Sequence, residues 1–444
     1  MKKNNRVKLI LLICLLISSI TFAKEDDEIN GTYYRNIRGM GMGNSYTTSA
    51  LNEAALLYNP AMLNYLKKTK WSVFSPGFGI NADGMDSLSY LKEIIDDIGD
   101  DKLSEMNESE IFNYIKEKQK DMNNKMINGY TGNFTGILMK NIGFGVFAYG
   151  NIDKAGIENP VNPKLILNSS LNMDVPIGIS TKFGPFRVGA SARYINYLKT
   201  NAEITTTDFM NTSMQMFGAT KHEGFGINIG SVIGGDRFRI GIAMQDAYTK
   251  IDVWEDSKTV YPKGHPKQGK IIPDDELDES ELIAKYFSNE DLNENSEIPR
   301  YSTYYKGEQK VMPNLRVGMS IYPKKWLQLS ADYENILNED MDGDGSPDDN
   351  PYKKIHIGSE ISILQDTFNL KLRLGINQGY PTMGVYAQPL YFMGKAPTWV
   401  KVVLFPAYLM REFEFELVDY TEELGPYAGM KPNHIKALGF SLRF

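Results

Sequence analysis

The sequence predicts an all-β chain, an antiparallel transmembrane β-barrel of about 14 strands, with an amino-terminal hatch and a helical insertion in the first external loop. Three observations predict it. Many segments alternate apolar and polar residues with a period of two; tight and long connections between them take turns; and the last alternating run ends on an aromatic carboxy terminus, Phe444.

The first residues stand apart from that pattern. Lys2, Lys3, Arg6 and Lys8 precede the apolar run Leu9 to Ile20, and Thr21-Phe22-Ala23 gives small-residue cleavage chemistry before Lys24-Glu25-Asp26-Asp27. Residues 1–23 therefore read as a secretory signal peptide, too short in its apolar part to span a membrane as a helix. The single cysteine, Cys14, lies within that run behind Ile13, a poor context for lipidation. The exported chain would hold no disulfide and no thiolate metal site.

Bulk composition narrows the class. Mean hydropathy is -0.34, and no later segment approaches the roughly 20 consecutive apolar residues of a membrane helix. Aromatic residues nevertheless reach 11%, and there are 39 glycines. Export, low hydropathy and aromatic and glycine content together favour strands with one face to lipid and the other to a lumen. A soluble periplasmic β-protein also alternates, so periodicity alone does not separate the two. The net charge of -7 speaks against nucleic acid as a partner.

The strands follow in order. Phe368 to Asn377 places apolar residues at every even position; Phe186 to Tyr194, Phe238 to Met244, Leu315 to Ile321 and Leu327 to Tyr333 repeat the pattern. Asn141, Gly184-Pro185, Gly234-Gly235-Asp236, Pro323-Lys324 and Gln365-Asp366 supply tight turns. Long polar stretches lie near 85–128, 153–169, 197–222, 248–309 and 336–352. Outer-membrane barrels have this asymmetry, with short periplasmic turns and longer external loops. The first strand reads as Trp71 to Ile80 and the last as Ile435 to Phe444, leaving 69–444 for the barrel. After Pro381 the division is open: the runs Gly384–Gln388 and Val400–Val418 can be cut in more than one way, so 12 or 16 strands compete with 14.

Residues 24–68 precede the first strand. Arg38-Gly39-Met40-Gly41-Met42-Gly43-Asn44-Ser45-Tyr46-Thr47, Ala50-Leu51-Asn52-Glu53-Ala54 and Tyr58-Asn59-Pro60-Ala61-Met62-Leu63 resemble the amino-terminal segment of FadL-type outer-membrane transporters for hydrophobic compounds. PorV-type barrels and uncharacterised spirochaete barrels carry a similar segment. Asn52-Glu53 stands where many members have two aspartates. The resemblance implies a hatch that plugs the barrel, a ligand such as a long-chain fatty acid, and, at a strand kink beside the hatch, a lateral exit into lipid. Leu438, Phe440, Leu442 and Phe444 share one face of the final strand, which is similar to the signal read by the barrel assembly machinery.

Several constellations are candidates for function. Asn59, Pro60 and Ala61 form the hatch turn. Pro176 lies within the run Leu171 to Thr181, where a residue without an N–H belongs at a bulge or edge; it reads either as a plain strand end or as the candidate lateral exit. With the apolar faces given to lipid, Arg187, Arg193, Arg237, Arg239, Arg316, Lys371, Arg373 and Arg443 face the lumen, with Asp174, Asp332, Glu412, Glu414 and Glu416. Of these, Arg187, Arg193, Arg316 and Arg373 are candidates to attract a ligand carboxylate through the guanidinium fork, or else simply pair with the lumenal acids. Leu88, Leu91, Ile94, Ile95 and Ile98, then Ile111, Phe112 and Ile115, have helical spacing within 85–128 and would pack that loop on the rim or offer an apolar groove.

Asp340, Asp342 and Asp344, with Gly345 and then Asp348, have the spacing of a calcium loop, but Pro351 occupies the twelfth position, where a bidentate glutamate belongs. Structural Ca2+ is thus an option against a solvated acidic loop, and no other cofactor is expected. His222, His265, His356 and His434 make no zinc pair, and no Gly-x-Ser-x-Gly elbow is present, which speaks against an enzyme. The expectation is a monomeric barrel in outer-membrane lipid that passes hydrophobic or amphipathic small molecules. The rival is a non-transporting scaffold for secretion machinery.

Overall fold

The computed structural model describes residues 28–29, 34–82, 126–158, 164–205, 219–256, 303–337, 351–365, 368–405, 410–424 and 429–444, with isolated positions between them. Fourteen antiparallel strands close on themselves. They are β1 (Lys70–Phe74 and Gly77–Asn81), β2 (Ile127–Met139), β3 (Ile142–Glu158), β4 (Lys164–Phe183), β5 (Phe186–Thr205), β6 (Ala219–Gly234), β7 (Phe238–Asp256), β8 (Thr303–Val311 and Asn314–Lys324), β9 (Leu327–Tyr333), β10 (Ile355–Ile363), β11 (Leu370–Asn377), β12 (Tyr380–Ala387), β13 (Phe413–Glu423) and β14 (Pro432–Arg443). Each pairs with its neighbour in sequence, and β14 pairs with β1 through Gly439 and Gly77 and through Ile435 and Asn81. Breaks divide β1 at Ser75-Pro76 and β8 at Met312-Pro313, where prolines supply no ladder donor. A further two-residue stretch, Glu28–Ile29, pairs in parallel with Lys310 and Val311.

Burial fixes which way the wall faces. Along β4, Leu171, Met173, Ile177 and Ile179 are exposed, while Asn172, Asp174 and Ser180 are buried. In water this would be inside out. An apolar exterior around a polar interior is what a bilayer requires, and closure satisfies every strand edge. Trp71, Phe183, Phe186, Trp326, Phe368 and Phe444 collect at the end of the barrel that holds the tight turns, and form an exposed aromatic girdle there. The chain is a β-barrel of the bacterial outer membrane.

Four expectations need correction. The described residues of 153–169 and 197–222 are strand, since β3 runs to Glu158, β4 starts at Lys164, β5 runs to Thr205 and β6 starts at Ala219. Polar side chains there do not prevent strand formation, because a 20-residue strand such as β4 or β5 is about twice as long as the bilayer demands and the excess stands in water. Likewise β7 continues through Asp256 and β8 resumes at Thr303, inside the span 248–309. The alternation of tight and long connections also reverses near the end. Gln378-Gly379 is a tight turn on the loop side, and 388–412 is a long connection on the turn side, holding a helix at Thr398–Val403 (called α3 below). Thus the run Val400–Val418 is not one strand. Finally, Pro176 does not end its run: β4 keeps one register with β5 through it.

Within the cylinder lie residues 34–66: α1 (Ile37–Gly41), α2 (Ala55–Tyr58) and a 3-10 turn, Pro60–Tyr65. Asn36 caps α1 by accepting a bond from the Gly39 N–H. Nearly all of this segment is buried, and Met42, Tyr46, Leu56, Leu57, Met62 and Leu63 form one apolar cluster with Phe134 and Phe147 of the wall. Of the first external loop, the few described positions, among them 82, 84, 87, 110 and 116–118, are helical; the apolar stripe itself lies outside the described residues.

Candidate functional site

The inner segment meets the wall through close backbone approach on one side. A Cβ placed on Gly189 of β5 would lie 2.4 Å from the Ala61 nitrogen, and one on Gly230 of β6 would lie 2.0 Å from the Asn59 Oδ1. Only glycine lets the Asn59-Pro60-Ala61 turn sit this deep. Asn59 then closes the turn on itself: its Oδ1 accepts from the Ala61 N–H at 3.1 Å, and its Nδ2 donates to the Thr47 carbonyl at 2.9 Å. Nearby, Ser191 donates to the Leu56 carbonyl at 2.6 Å and Gln245 to the Leu57 carbonyl at 3.2 Å, so the last turn of α2 is satisfied by wall side chains.

Across the barrel the contacts are ionic. Arg38 forks onto Glu360 of β10 at 3.0 and 3.1 Å. Burial works against the charge on Arg38, but Glu360 outweighs it and raises the pKa, keeping the guanidinium charged. Both carboxylate oxygens of Glu53 accept from Nη2 of Arg443 on β14, at 3.0 and 2.9 Å, while Nη1 donates to Glu414 at 2.8 Å, and Arg35 reaches Glu422 of β13 at 2.9 Å. Asp332 of β9 accepts from the Tyr46 and Thr47 N–H groups at 2.6 and 2.7 Å. Gly43, at φ 59, approaches β10 and β11 so closely that its carbonyl meets His356 Nδ1 at 3.0 Å.

The four arginines singled out in the sequence all point inward, but the structure does not bring them together. Arg187 sits at the turn end, 3.9 Å above the Tyr65 ring, and donates to Asn64, Tyr65 and the Gly234 carbonyl. Arg193 bridges Asp174 of β4 and Asp246 of β7 at 2.7 and 2.5 Å, with all three side chains almost fully buried. Arg316 bonds Glu334 at 2.7 Å and the Asn44 carbonyl at 3.1 Å, and lies over the Tyr58 ring. Arg373 joins Glu360 and Glu416 at 2.9 and 3.1 Å. Arg239, Lys371 and Arg443 are inward too, whereas Arg237 lies exposed in the turn before β7 and Glu412 in a 3-10 turn below β13, paired with Arg411.

Pro176 is buried on the inward face of β4, opposite Arg193 of β5. On its other side the ladder to β3 lapses: Ile177 pairs with Phe144 and Asp174 with Phe147, but the two residues between do not pair. A wider irregularity lies in β7, where Ile227 pairs with Tyr248 but Ile229 with Met244, and Asp246 adopts φ 50. That bulge turns Asp246 inward onto Arg193. Asp340, Asp342, Asp344 and Asp348 lie outside the described residues.

The feature that alternation did not reveal lies beyond Arg193, toward the external loops. There the inward residues are Ile166, Ile195, Tyr197, Ile251, Val253 and Val311, all buried. His222 stacks on Tyr197 with ring centroids 4.2 Å apart. Reading every apolar face as lipid-facing hides these residues, although the signal exists in β5, where Ile195 and Tyr197 follow Arg193 in the same phase.

No family model and no curated protein matches the sequence. Among solved structures, the chain is similar to the Pseudomonas putida toluene transporter TodX, with 12% identity, 95% of this chain and 99% of that one covered, and a TM-score of 0.42. It is also similar to a Pseudomonas aeruginosa FadL homologue at 8% identity, covering 93% and 98%, with a TM-score of 0.40. The outer membrane phospholipase of Salmonella typhi matches at 8% identity, covering 91% and 98%, with a TM-score of 0.22.

Proposed function

We propose that this barrel passes hydrophobic or amphipathic small molecules, such as long-chain fatty acids, across the outer membrane by diffusion. One observation carries the reading: the lumen beyond Arg193 is lined inward by Ile195, Ile251, Val253 and Val311. A barrel that only conducts water and ions has polar lumenal strands. Apolar residues turned inward, above a plug of buried side chains, instead suit a ligand that leaves water as it enters. The inner segment blocks a straight path, so passage needs either its displacement or a side exit, for which the lapse between β3 and β4 at Pro176 is the candidate. Pro176→Val, which restores the missing donor, would then slow uptake without unfolding the barrel.

The test is uptake of labelled fatty acid and of a monoaromatic hydrocarbon by deleted and complemented cells. Complementation restores uptake, and the double change Ile195→Asp with Ile251→Asp abolishes it while the barrel remains folded by gel mobility. Equal uptake with and without the gene overturns the reading. The buried polar run Ser45, Thr47, Thr48 and Ser49, packed in part against Gly241, Gly318 and Ser320 of the wall, favours a rival, a scaffold for secretion machinery of the PorV type. Unchanged uptake together with lost secretion on deletion would select that rival.

A further inference from the structure

The connection 388–412 is out of keeping with its place. It joins β12 to β13 at the end where the other connections are tight turns, and it carries the most exposed apolar side chains of that end: Trp399 at 70%, Val402 at 71% and Val403 at 70%, with Leu404 and Phe405 half-exposed. No residue of α3 is buried. A six-residue helix rich in β-branched valine does not hold itself together in water. Its neck is nonetheless fixed, because the Gln388 N–H donates to the Phe368 carbonyl at 3.0 Å, its Nε2 donates to the Arg411 carbonyl at 2.8 Å, and Met393 is buried.

Two observations name what covers this face. The segment is continuous with the lipid-facing belt: Phe392 meets Phe368 of the aromatic girdle edge-on, centroids 6.4 Å apart, and α3 follows directly. Its charge is also predominantly basic. From Gln388 to Glu412 the chain has Lys395, Lys401 and Arg411 against a single acid, Glu412, which pairs with Arg411 at 2.8 Å, so Lys395 and Lys401 give the segment its positive excess in a protein of net charge -7. Lys401 and Arg411 flank the Tyr408 ring at 5.6 and 3.9 Å. Tryptophan, tyrosine and cations around an apolar face are the composition of an element lying in the headgroup boundary of a bilayer, where cations meet anionic phosphates. We propose that residues 388–412 form a monotopic foot, which lays Trp399, Val402 and Val403 into the periplasmic leaflet and fixes the depth and tilt of the barrel.

The full chain carrying C14S and V403C has one thiol. Spin-labelled there and reconstituted into phosphatidylethanolamine–phosphatidylglycerol vesicles, it is expected to collide with oxygen far more than with a water-soluble nickel chelate. Nickel access equal to that of an aqueous loop overturns the proposal; so does protection from both reagents, which would mean a protein covers the face. Independently, W71F, W254F and W326F leave Trp399 as the only tryptophan. Its emission is expected to fall in vesicles whose phospholipids carry bromine high on the acyl chain, and emission unchanged by bromine overturns the foot. Because V403C alters one exposed side chain, it decides the matter even if the triple variant fails to fold.

Discussion

The two sides of the barrel hold the same inner segment by different chemistry. On the β4–β7 side Arg193 is bridged within the wall by Asp174 and Asp246, and the inner segment meets that wall through neutral partners: Leu56, Leu63, the Asn59-Pro60-Ala61 turn, and the Asn64, Tyr65 and Thr48 acceptors that Arg187 and Arg239 reach. On the β9–β14 side the charges cross the gap: Arg38 to Glu360, Glu53 to Arg443, Arg35 to Glu422. Dispersion and close fit act only at contact and ignore salt, whereas ion pairs weaken with screening wherever water reaches them. Used purely as labels for these two chemistries, the first side is the hinge and the second is the latch.

Breaking the wall's own charge cluster has the largest expected effect. Arg193→Met leaves two carboxylates facing each other in the interior, a loss of about 3–5 kcal/mol for a buried pair broken on one side. Urea unfolding in vesicles is expected to show it as a lowered midpoint, and Asp246→Asn in the same background to recover part of the loss. On the hinge, Leu56→Ala removes a side chain that is 0% exposed, costing about 2–5 kcal/mol. The barrel wall does not depend on Leu56, so the loss is expected as protease cleavage within 34–66 while the strands stay resistant. Cleavage unchanged from the parent would show that the hinge lies elsewhere.

Much of this was legible beforehand, and what was not has a physical cause. Gly43 and the Asn59-Pro60-Ala61 turn announce close packing, since a Cβ on Gly43 would lie 2.5 Å from the Ile376 carbonyl, and a count of about 14 strands came from the tight turns before Pro381, beyond which 12 and 16 stayed open. Arg193, Arg316 and Arg373 were identifiable as lumenal from their phase. Of their partners, Asp174 and Glu416 were identifiable in the same way, but Asp246 was not: it reaches Arg193 only because a bulge in β7 changes the phase, and alternation cannot announce its own interruption. The apolar upper lumen was missed for a related reason. Alternation separates two faces without saying which one looks at lipid, and Ile195 and Tyr197 occupy the face that Arg193 had marked as polar. Helix α3 escaped because Val400–Phe405 is an apolar run that fits a buried strand as well as a lipid-bound helix.

The latch can be sharpened by comparing its pairs. Glu53→Gln keeps the shape but gives up the doubly bonded carboxylate on Arg443, and charge-assisted bonds of this kind are worth about 1.5–3 kcal/mol. Protease entry is expected from the β14 side, with the hinge contacts kept, and restored protection in E53D would assign the loss to charge. Arg35→Ala is the gentlest change. Arg35 and Glu422 retain 27% and 14% side-chain exposure, so water screens the pair and its removal costs only about 0.2–1 kcal/mol. The two variants then separate by salt. Raising ionic strength in the parent is expected to reproduce the small loss of R35A, because that pair is reached by ions, and to leave the Glu53–Arg443 contact intact, where Glu53 is only 3% exposed. If salt instead opens the segment as far as E53Q does, Glu53 is wet, and the latch is a surface network with no buried pair at its centre.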